Sequence, residues 1–178
     1  MTSRRQVLSL FLSGLLSGPL INAQPLMRHR DELIPEYLAC NMESWWTELS
    51  FLDRFRAAAD AGFKSVEFWS HSDPTRDMQE VAKLCQILEL NIIQFTGWQG
   101  PSLASPQNHA AFVDAIKKAI EISYLLDAPM FTVVGHQTLN TMTHSESIGN
   151  LTKALEEVAP MLEKSGKTDT SKDLLMNL

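Results

Sequence analysis

The stretch SFLDRFRAAADAGFKSVEFWS, residues 50–70, carries the pattern that decides the fold. Its first half predicts a helix, because apolar side chains recur there at three- and four-residue steps. Ser50 with Asp53 is spaced to cap the start of this helix, and Gly62 is placed to end it. The apolar run at residues 64–70 then predicts a strand. Together these segments form the helix and the following strand of a βα repeat.

The same alternation extends on both sides of this stretch. Strands are predicted at residues 37–42, 64–70, 91–95 or slightly beyond, and 130–134, and a segment of helical period follows each of them. Alternating strands and helices predict an α/β fold with a parallel sheet and right-handed crossovers. The last helix has a capping-box pair, Thr143 with Glu146, at its start and Gly166 at its end.

Only four βα units can be counted in the chain. A complete (β/α)8 barrel has eight units and about 250 residues, whereas this chain has 178. Where a fifth strand is due, residues 167–173 are too polar for a buried parallel strand. The sequence therefore predicts a partial TIM barrel at residues 37–166, the first four βα units, followed by a polar tail at residues 167–178.

The first 23 residues are typical of an export signal. Arg4 and Arg5 precede a short apolar run, and Ala23 ends a plausible cleavage site. The paired arginines resemble the twin-arginine signal, with Val7 where that pattern usually carries Phe; an ordinary secretory signal is the alternative. Both interpretations predict a periplasmic protein, with residues 24–36 as a linker and no membrane span after signal removal.

Charge and cysteine content narrow the classes of partner. The chain has 15 Lys and Arg against 21 Asp and Glu, a net charge of -6, which repels phosphate backbones and argues against a nucleic acid partner. A small-molecule ligand is expected instead. Cys40 and Cys85 are too few to crosslink a fold, so a buried core must stabilise the protein.

The segment from Leu49 to Trp69 resembles the opening of the xylose isomerase-like barrels, most closely the hydroxypyruvate isomerase branch. The phrase Phe-Leu-x-Arg-Phe … Ala-Gly-Phe-Lys-x-Val-Glu-Phe-Trp carries this resemblance, which extends over about residues 37–166, the first half of that fold. The resemblance implies an isomerase in which a divalent metal (Mn, Mg or Co) holds a sugar or hydroxy-keto acid while acidic residues move a proton between adjacent carbons.

In that family the metal ligands lie at the ends of strands five to eight. None of those strands is predicted here, so the resemblance implies a truncated barrel that is inactive alone. We expect its two open sheet edges to favour pairing into a homodimer, or else poor persistence as a fragment.

Candidate site residues follow from the rule that barrel sites form at the carboxyl ends of the strands. Indole, imidazole and amide groups at consecutive strand ends predict a pocket with apolar walls and a few polar groups. The predicted substrate-binding residues are Glu67, Trp69, His71, Trp98, Gln99 and His136.

Each of these residues also has a structural interpretation. Strict alternation places Glu67 and Trp69 on the barrel interior, where Glu67 is either part of the site or a hydrogen-bonded structural carboxylate. His71 is either a general acid or hydroxyl partner oriented by Asp73, or a cap of the next turn. Trp98 is predicted to lie in a flexible loop over a ligand. His109 is predicted to be solvated.

Three functions remain open. The first is the isomerase implied by resemblance, and the second is a non-catalytic carbohydrate-binding or interaction module that uses the Trp and His side chains. The third, a DNA-repair endonuclease of the same superfamily, conflicts with the acidic charge and the export signal.

Overall fold

The computed structural model describes residues 34–35, 37–134, 139–166 and 168–169. The predicted signal at residues 1–23, most of the linker, His136 and most of the predicted tail lie outside the described residues.

Strands and helices alternate along the described chain. The strands are β1 (Ala39–Asn41), β2 (Ser65–Ser70), β3 (Asn91–Trp98), β4 (Met130–Val133) and β5 (Thr168–Asp169). The helices are α1 (Phe51–Ala61), α2 (Met78–Leu88), α3 (His109–Leu125) and α4 (His144–Ser165), with a short 3-10 turn, Pro106–Asn108, before α3. All neighbouring strands are parallel, in the order β1-β2-β3-β4-β5. The predicted α/β architecture of a partial barrel is confirmed.

The prediction that no strand follows Gly166 is wrong. Thr168 and Asp169 pair in parallel with Met130 and Phe131 of β4. A two-residue edge strand needs only backbone hydrogen bonds, so the polarity that excludes a buried strand does not exclude this one.

The helix ends follow the local signals in the sequence. Ser50 accepts a hydrogen bond from the Asp53 amide, and Gly62 ends α1 with a left-handed backbone, φ 98°. Thr143 and Glu146 form a reciprocal capping box at the start of α4. These caps satisfy backbone groups that the helix itself leaves unpaired.

A row of phenylalanine rings forms the core between the sheet and the helices. Phe68, Phe95 and Phe131 lie on three adjacent strands and are fully buried, with ring centroids 5.9 and 5.8 Å apart along the row. Phe55 of α1 meets Phe68 edge-on. One face of the sheet is therefore covered by helices, and the opposite face carries the polar side chains described below.

In the described part of the chain, no helix combines the length and the apolar character needed to cross a membrane.

Candidate functional site

A row of three polar side chains crosses the helix-free face of the sheet. Asn41, Glu67 and Gln94 are in register on β1, β2 and β3. The Glu67 carboxylate accepts one hydrogen bond from Asn41 Nδ2, at 2.9 Å, and one from Gln94 Nε2. The neighbours of Glu67 along β2, Val66 and Phe68, are buried on the helix side. The predicted interior position of Glu67 is thus confirmed, with both carboxylate oxygens held by neutral amides.

The Asn41 amide has a fixed orientation. Its Oδ1 accepts hydrogen bonds from the Glu43 amide, at 2.9 Å, and from Ser44 Oγ, at 3.1 Å. Its Nδ2 is therefore the group available to Glu67. This arrangement links the β1–α1 loop directly to the Glu67 carboxylate.

His71 lies immediately after β2 and is half-buried. Its Nδ1 is 3.0 Å from the carbonyl oxygen of Thr96, and its ring meets Phe95 edge-on. Because a carbonyl only accepts, Nδ1 carries the proton of this hydrogen bond, so Nε2 of the neutral ring is left as an acceptor. Burial lowers the pKa of His71 below its ordinary value, and the charge of Lys118 adds to this effect, against the opposing Thr96 hydrogen bond.

The prediction that Asp73 orients His71 is wrong. The Asp73 carboxylate accepts hydrogen bonds from the amide and the hydroxyl of Thr75, and it lies 3.4 Å from Arg76 Nε. An aspartate two residues before an amide readily closes such a local turn, which leaves the carboxylate unavailable to His71.

Trp69 is the extra residue of a bulge in β2. Phe68 pairs with Phe95 and Ser70 with Thr96, so Trp69 has no partner on β3. The bulge interrupts strict alternation, and the rule that placed Trp69 on the face of Glu67 does not apply to it. Its side chain is 53% exposed.

An ion-pair network that the sequence analysis did not identify holds the backbone beside Trp69. Glu43 accepts the Trp69 amide at 3.1 Å, and Arg76 binds the same carboxylate through two nitrogens, at 2.6 and 2.9 Å. Burial opposes ionisation of Glu43, but the hydrogen bonds from Arg76 and Trp69 and the charges of Arg76 and Arg54 outweigh it and lower its pKa. Glu43 and Arg76 are 33 residues apart, so no local pattern reveals the pair.

Trp98 is placed differently from the prediction. It is the last residue of β3 rather than a loop residue, it is 9% exposed, and its ring meets Phe112 of α3. Its indole Nε1 is buried without a hydrogen-bond partner in the described part of the chain. Gln99, which follows it, is exposed. The predicted ligand-covering tryptophan is a core side chain, and its binding role stays a prediction.

Three side chains donate hydrogen bonds to successive backbone carbonyls of the loop after β3. Asn108 donates to Ser102, His109 to Leu103 and Asn150 to Ala104, at 2.7, 3.0 and 2.8 Å. The prediction that His109 is solvated is wrong, because its ring is half-buried in this contact.

The structure therefore brings Glu67, Trp69 and His71 to one end of the sheet and separates Trp98 from them by turning its ring toward α3. His136 lies outside the described residues. An open cavity of about 850 Å³ lies elsewhere, at the amino ends of β2 and β3, where Ser65 and Asn91 are part of its lining. That end of a parallel barrel is associated with stability rather than catalysis.

The described residues do not fit the divalent metal implied by resemblance. Across residues 34–35, 37–134, 139–166 and 168–169, no three His, Cys, Asp or Glu side chains are grouped to hold an ion. Glu67 is held by two amides, and Glu43 by Arg76. Both carboxylates are therefore already engaged by protein donors.

Comparisons with known proteins find similar sequences and structures. Residues 55–168 match the family described as "Xylose isomerase-like TIM barrel". A 44-residue segment is 46% identical to 2-oxo-tetronate isomerase of Haemophilus influenzae, covering 24% of this chain and 17% of that protein.

Two solved structures have the same fold. An AP endonuclease of family 2 from Brucella melitensis is 22% identical, with a TM-score of 0.65, over 74% of this chain and 52% of that one. A D-allulose 3-epimerase from Methylomonas sp. is 18% identical, with a TM-score of 0.61, over 76% of this chain and 51% of that one. The chain spans about half the length of the structures it matches.

Proposed function

Because this chain belongs to the xylose isomerase-like TIM barrel family, we propose that it forms part of the substrate site of an isomerase that acts on a small hydroxy-carbonyl compound or sugar. The observation that carries the proposal is the placement of Glu67 on β2 and of His71 directly after β2, each hydrogen-bonded to a residue of β3. Sites of parallel barrels form at this end. The resemblance to a 2-oxo-tetronate isomerase supports a substrate of the sugar-acid class, and hydroxypyruvate is a small member of that class.

His71 has the properties needed to accept a proton from a substrate hydroxyl. Its Nδ1–H is committed to the Thr96 carbonyl, so the ring is oriented and Nε2 is the free nitrogen. A lowered pKa keeps the ring neutral at neutral pH, which leaves the Nε2 lone pair available. Glu67 is held rigidly by its two amide partners and offers its remaining lone pairs to hydroxyl donors.

We further propose that turnover depends on a divalent metal and, from the resemblance to the first half of the barrel, that this chain is inactive alone. Hydroxypyruvate isomerase-like chemistry moves a proton between adjacent carbons and needs a group that stabilises the charge developing on oxygen. The described residues offer no ligand set for that purpose. In this proposal the ligands come from a second half-barrel, as the family resemblance implies.

The test is reconstitution with a complementary half. The full chain is mixed with the C-terminal half-barrel of an active hydroxypyruvate isomerase and Mn²⁺, and conversion of hydroxypyruvate to tartronate semialdehyde is followed. We expect no turnover by the chain alone, and turnover by the co-purifying complex. In that complex His71→Asn, which keeps a donor for Thr96 and removes Nε2, should lower kcat at least about 100-fold.

His144→Asn is the matched control, because His144 is exposed at the start of α4. Its kcat should match that of the unsubstituted complex. A co-purifying complex without turnover, or an unchanged rate in His71→Asn, would contradict the proposal.

A second candidate function is a non-catalytic carbohydrate-binding module. The 53% exposure of Trp69 favours it, because exposed indoles bind ligands through their apolar faces. The two functions separate experimentally, since a binding module binds sugar without turnover in the reconstituted complex. A DNA-repair endonuclease is disfavoured by the net charge of -6.

Localisation and assembly belong to the same proposal. The proposed location is the periplasm, reached through the twin-arginine signal that Arg4 and Arg5 resemble or through an ordinary secretory signal. Homodimer formation through β1, the first strand of the described sheet order, would pair the backbone groups of that edge. Light scattering on the protein after signal removal would distinguish monomer from dimer.

A further inference from the structure

The backbone at Trp69 is held in an irregular conformation by several contacts. Trp69 is unpaired in the β2–β3 ladder, and bulges of this kind re-aim a side chain at the rim of a barrel. In place of a partner on β3, the Trp69 amide donates a hydrogen bond to the Glu43 carboxylate, at 3.1 Å. Position 69 is therefore set by a charged group from the neighbouring loop.

Glu43 is itself immobilised. Arg76 forms a two-pronged ion pair with it, and the two side chains are only 11% and 13% exposed. The Arg76 guanidinium also lies over the Phe51 ring, 3.9 Å from its centroid, and donates to the Ser70 carbonyl. Paired, desolvated contacts of this geometry are the stronger class of ion pair.

The loop that carries Glu43 is held by a second arginine. Arg54 donates to three carbonyls of this loop, those of Met42, Thr47 and Leu49, at 2.9, 3.1 and 3.2 Å. Its guanidinium is also 3.9 Å from the Glu43 carboxylate. The network therefore holds the backbone at Trp69 and Ser70 while Trp69 remains half exposed.

We propose that Trp69 is a preorganised stacking platform for the C–H face of a sugar or sugar acid, and that Glu43 is the positioning residue that sets it. The inference takes its substrate class from the proposed function, gives the predicted site residue Trp69 a stacking role, and adds Glu43 to the site. Trp69 lies two residues from Glu67 and two from His71 in the chain, at the same end of the sheet as His71. Apolar stacking with flanking polar groups is the usual composition of a small-molecule site.

Trp45 provides an internal comparison. It is also 53% exposed, but its ring packs against Trp46 and Phe63, with centroids 5.6 and 6.3 Å away. Trp69 has no such ring contact with any residue in the described ranges. Exposure alone thus does not distinguish the two indoles, whereas their ring contacts do.

The first test measures binding without turnover. Saturation-transfer NMR on the full chain with D-fructose and with D-erythronate, at millimolar concentration, should show transfer to the carbon-bound protons of the ligand. Trp69→Ala should weaken binding about fivefold to tenfold, the scale of one aromatic stacking contact. Trp45→Ala, matched in exposure, should leave the affinity within twofold of the unsubstituted chain.

The second test addresses Glu43. With 5-fluorotryptophan incorporated, the four tryptophans give ¹⁹F resonances that single substitutions assign. Glu43→Ala should shift or broaden the Trp69 resonance and weaken sugar binding about as much as Trp69→Ala. Glu43→Gln retains an acceptor for the Trp69 amide and should restore part of both signals. Asp73→Asn, which alters a second ion-pair partner of Arg76 and leaves Glu43 in place, should leave them unchanged.

The outcomes separate this inference from the proposed function. Equal affinities in Trp69→Ala and Trp45→Ala, or no saturation transfer to either ligand, would overturn the platform even if the reconstituted complex turns over substrate. A Trp69 resonance that is unmoved by Glu43→Ala would overturn the positioning role. Trp69-dependent binding in a complex without turnover would support the stacking platform and would contradict the proposed isomerase function.

Discussion

Two tryptophans lie at the carboxyl ends of neighbouring strands, but one is exposed and the other is buried. Trp69 at the end of β2 is 53% exposed and has its amide bound by a carboxylate, whereas Trp98 at the end of β3 is 9% exposed and packs on Phe112. Both ends contain a bulge, at Trp69 in one case and at Gly97 in the other. The exposure of a strand-end side chain is therefore set by which residue the bulge inserts, not by its place in the strand.

Glycine explains why Trp98 is on the core side. A Cβ on Gly97 would lie 2.6 Å from the Phe131 ring, and one on Gly100 would lie 2.4 Å from the Trp98 indole. Only a residue without a side chain permits these approaches, so the bulge and the turn close tightly over the indole. No comparable glycine adjoins Trp69 in the chain, and there the ion pair of Glu43 controls the backbone instead.

The largest expected effect on stability comes from removing the buried indole of Trp98. Trp98→Ala should lower the free energy of unfolding by about 3–5 kcal/mol, because it removes packing against Phe112 and leaves a cavity. Trp69→Ala, at an exposed position, should cost about 1 kcal/mol or less. Urea unfolding of both variants measures the difference. Similar losses in the two variants would show that the two strand ends are packed alike.

An effect of intermediate size on stability is expected from adding a methyl group at Gly97, where β3 lies close to Phe131. Gly97→Ala should destabilise by about 1–3 kcal/mol, since the new methyl group meets Phe131 and Ala119. The control is Gly149→Ala in α4, where nothing lies within 4 Å of the added Cβ, and it should stabilise by about 0.5–1 kcal/mol. Thermal unfolding measures the stability of both variants. Stability changes of the same sign in Gly97→Ala and Gly149→Ala would contradict the close packing at Gly97.

The smallest expected effect is a pH dependence at His71, the side chain that joins the two strand ends. Its folded-state pKa is lowered, chiefly by burial, so the unfolded chain binds the proton more readily. The stability from the neutral ring is thus present above pH 6.5 and is lost as the pH falls from there toward the folded pKa. Between pH 7 and 5 the unsubstituted chain should lose more stability than His71→Asn.

NMR titration of the His71 ring gives the direct measurement for this prediction. Its midpoint should lie below that of a histidine in an unstructured peptide. A midpoint at or above the peptide value, or parallel stability curves for the two proteins, would mean that burial does not control this ring.

Local patterns in the sequence predicted most of the fold. The cap pair Ser50 and Asp53 and the capping box at Thr143 are correct because each depends on residues three apart. The interior position of Glu67 is also correct, since alternation holds in β2 up to Phe68. The order of parallel strands follows from the same alternation of elements.

Features that depend on distant residues were not predictable in this way. Thr96, which binds His71, is 25 residues from it, and Arg76 is 33 residues from Glu43. The glycine neighbours of Trp98 predict a loop, whereas in the structure they form a bulge and a tight turn against aromatic rings. Bulges depend on the register with a neighbouring strand, which the sequence of one strand does not contain.

The spatial sequence β1 to β5 repeats the order in which the strands are synthesised. Each strand hydrogen-bonds to the one that left the ribosome just before it, so the sheet can grow vectorially without waiting for a distant segment. Short loop closures of this kind carry a low entropic cost and favour rapid folding. A nascent chain of this topology can thus acquire the polar face of its sheet strand by strand during translation.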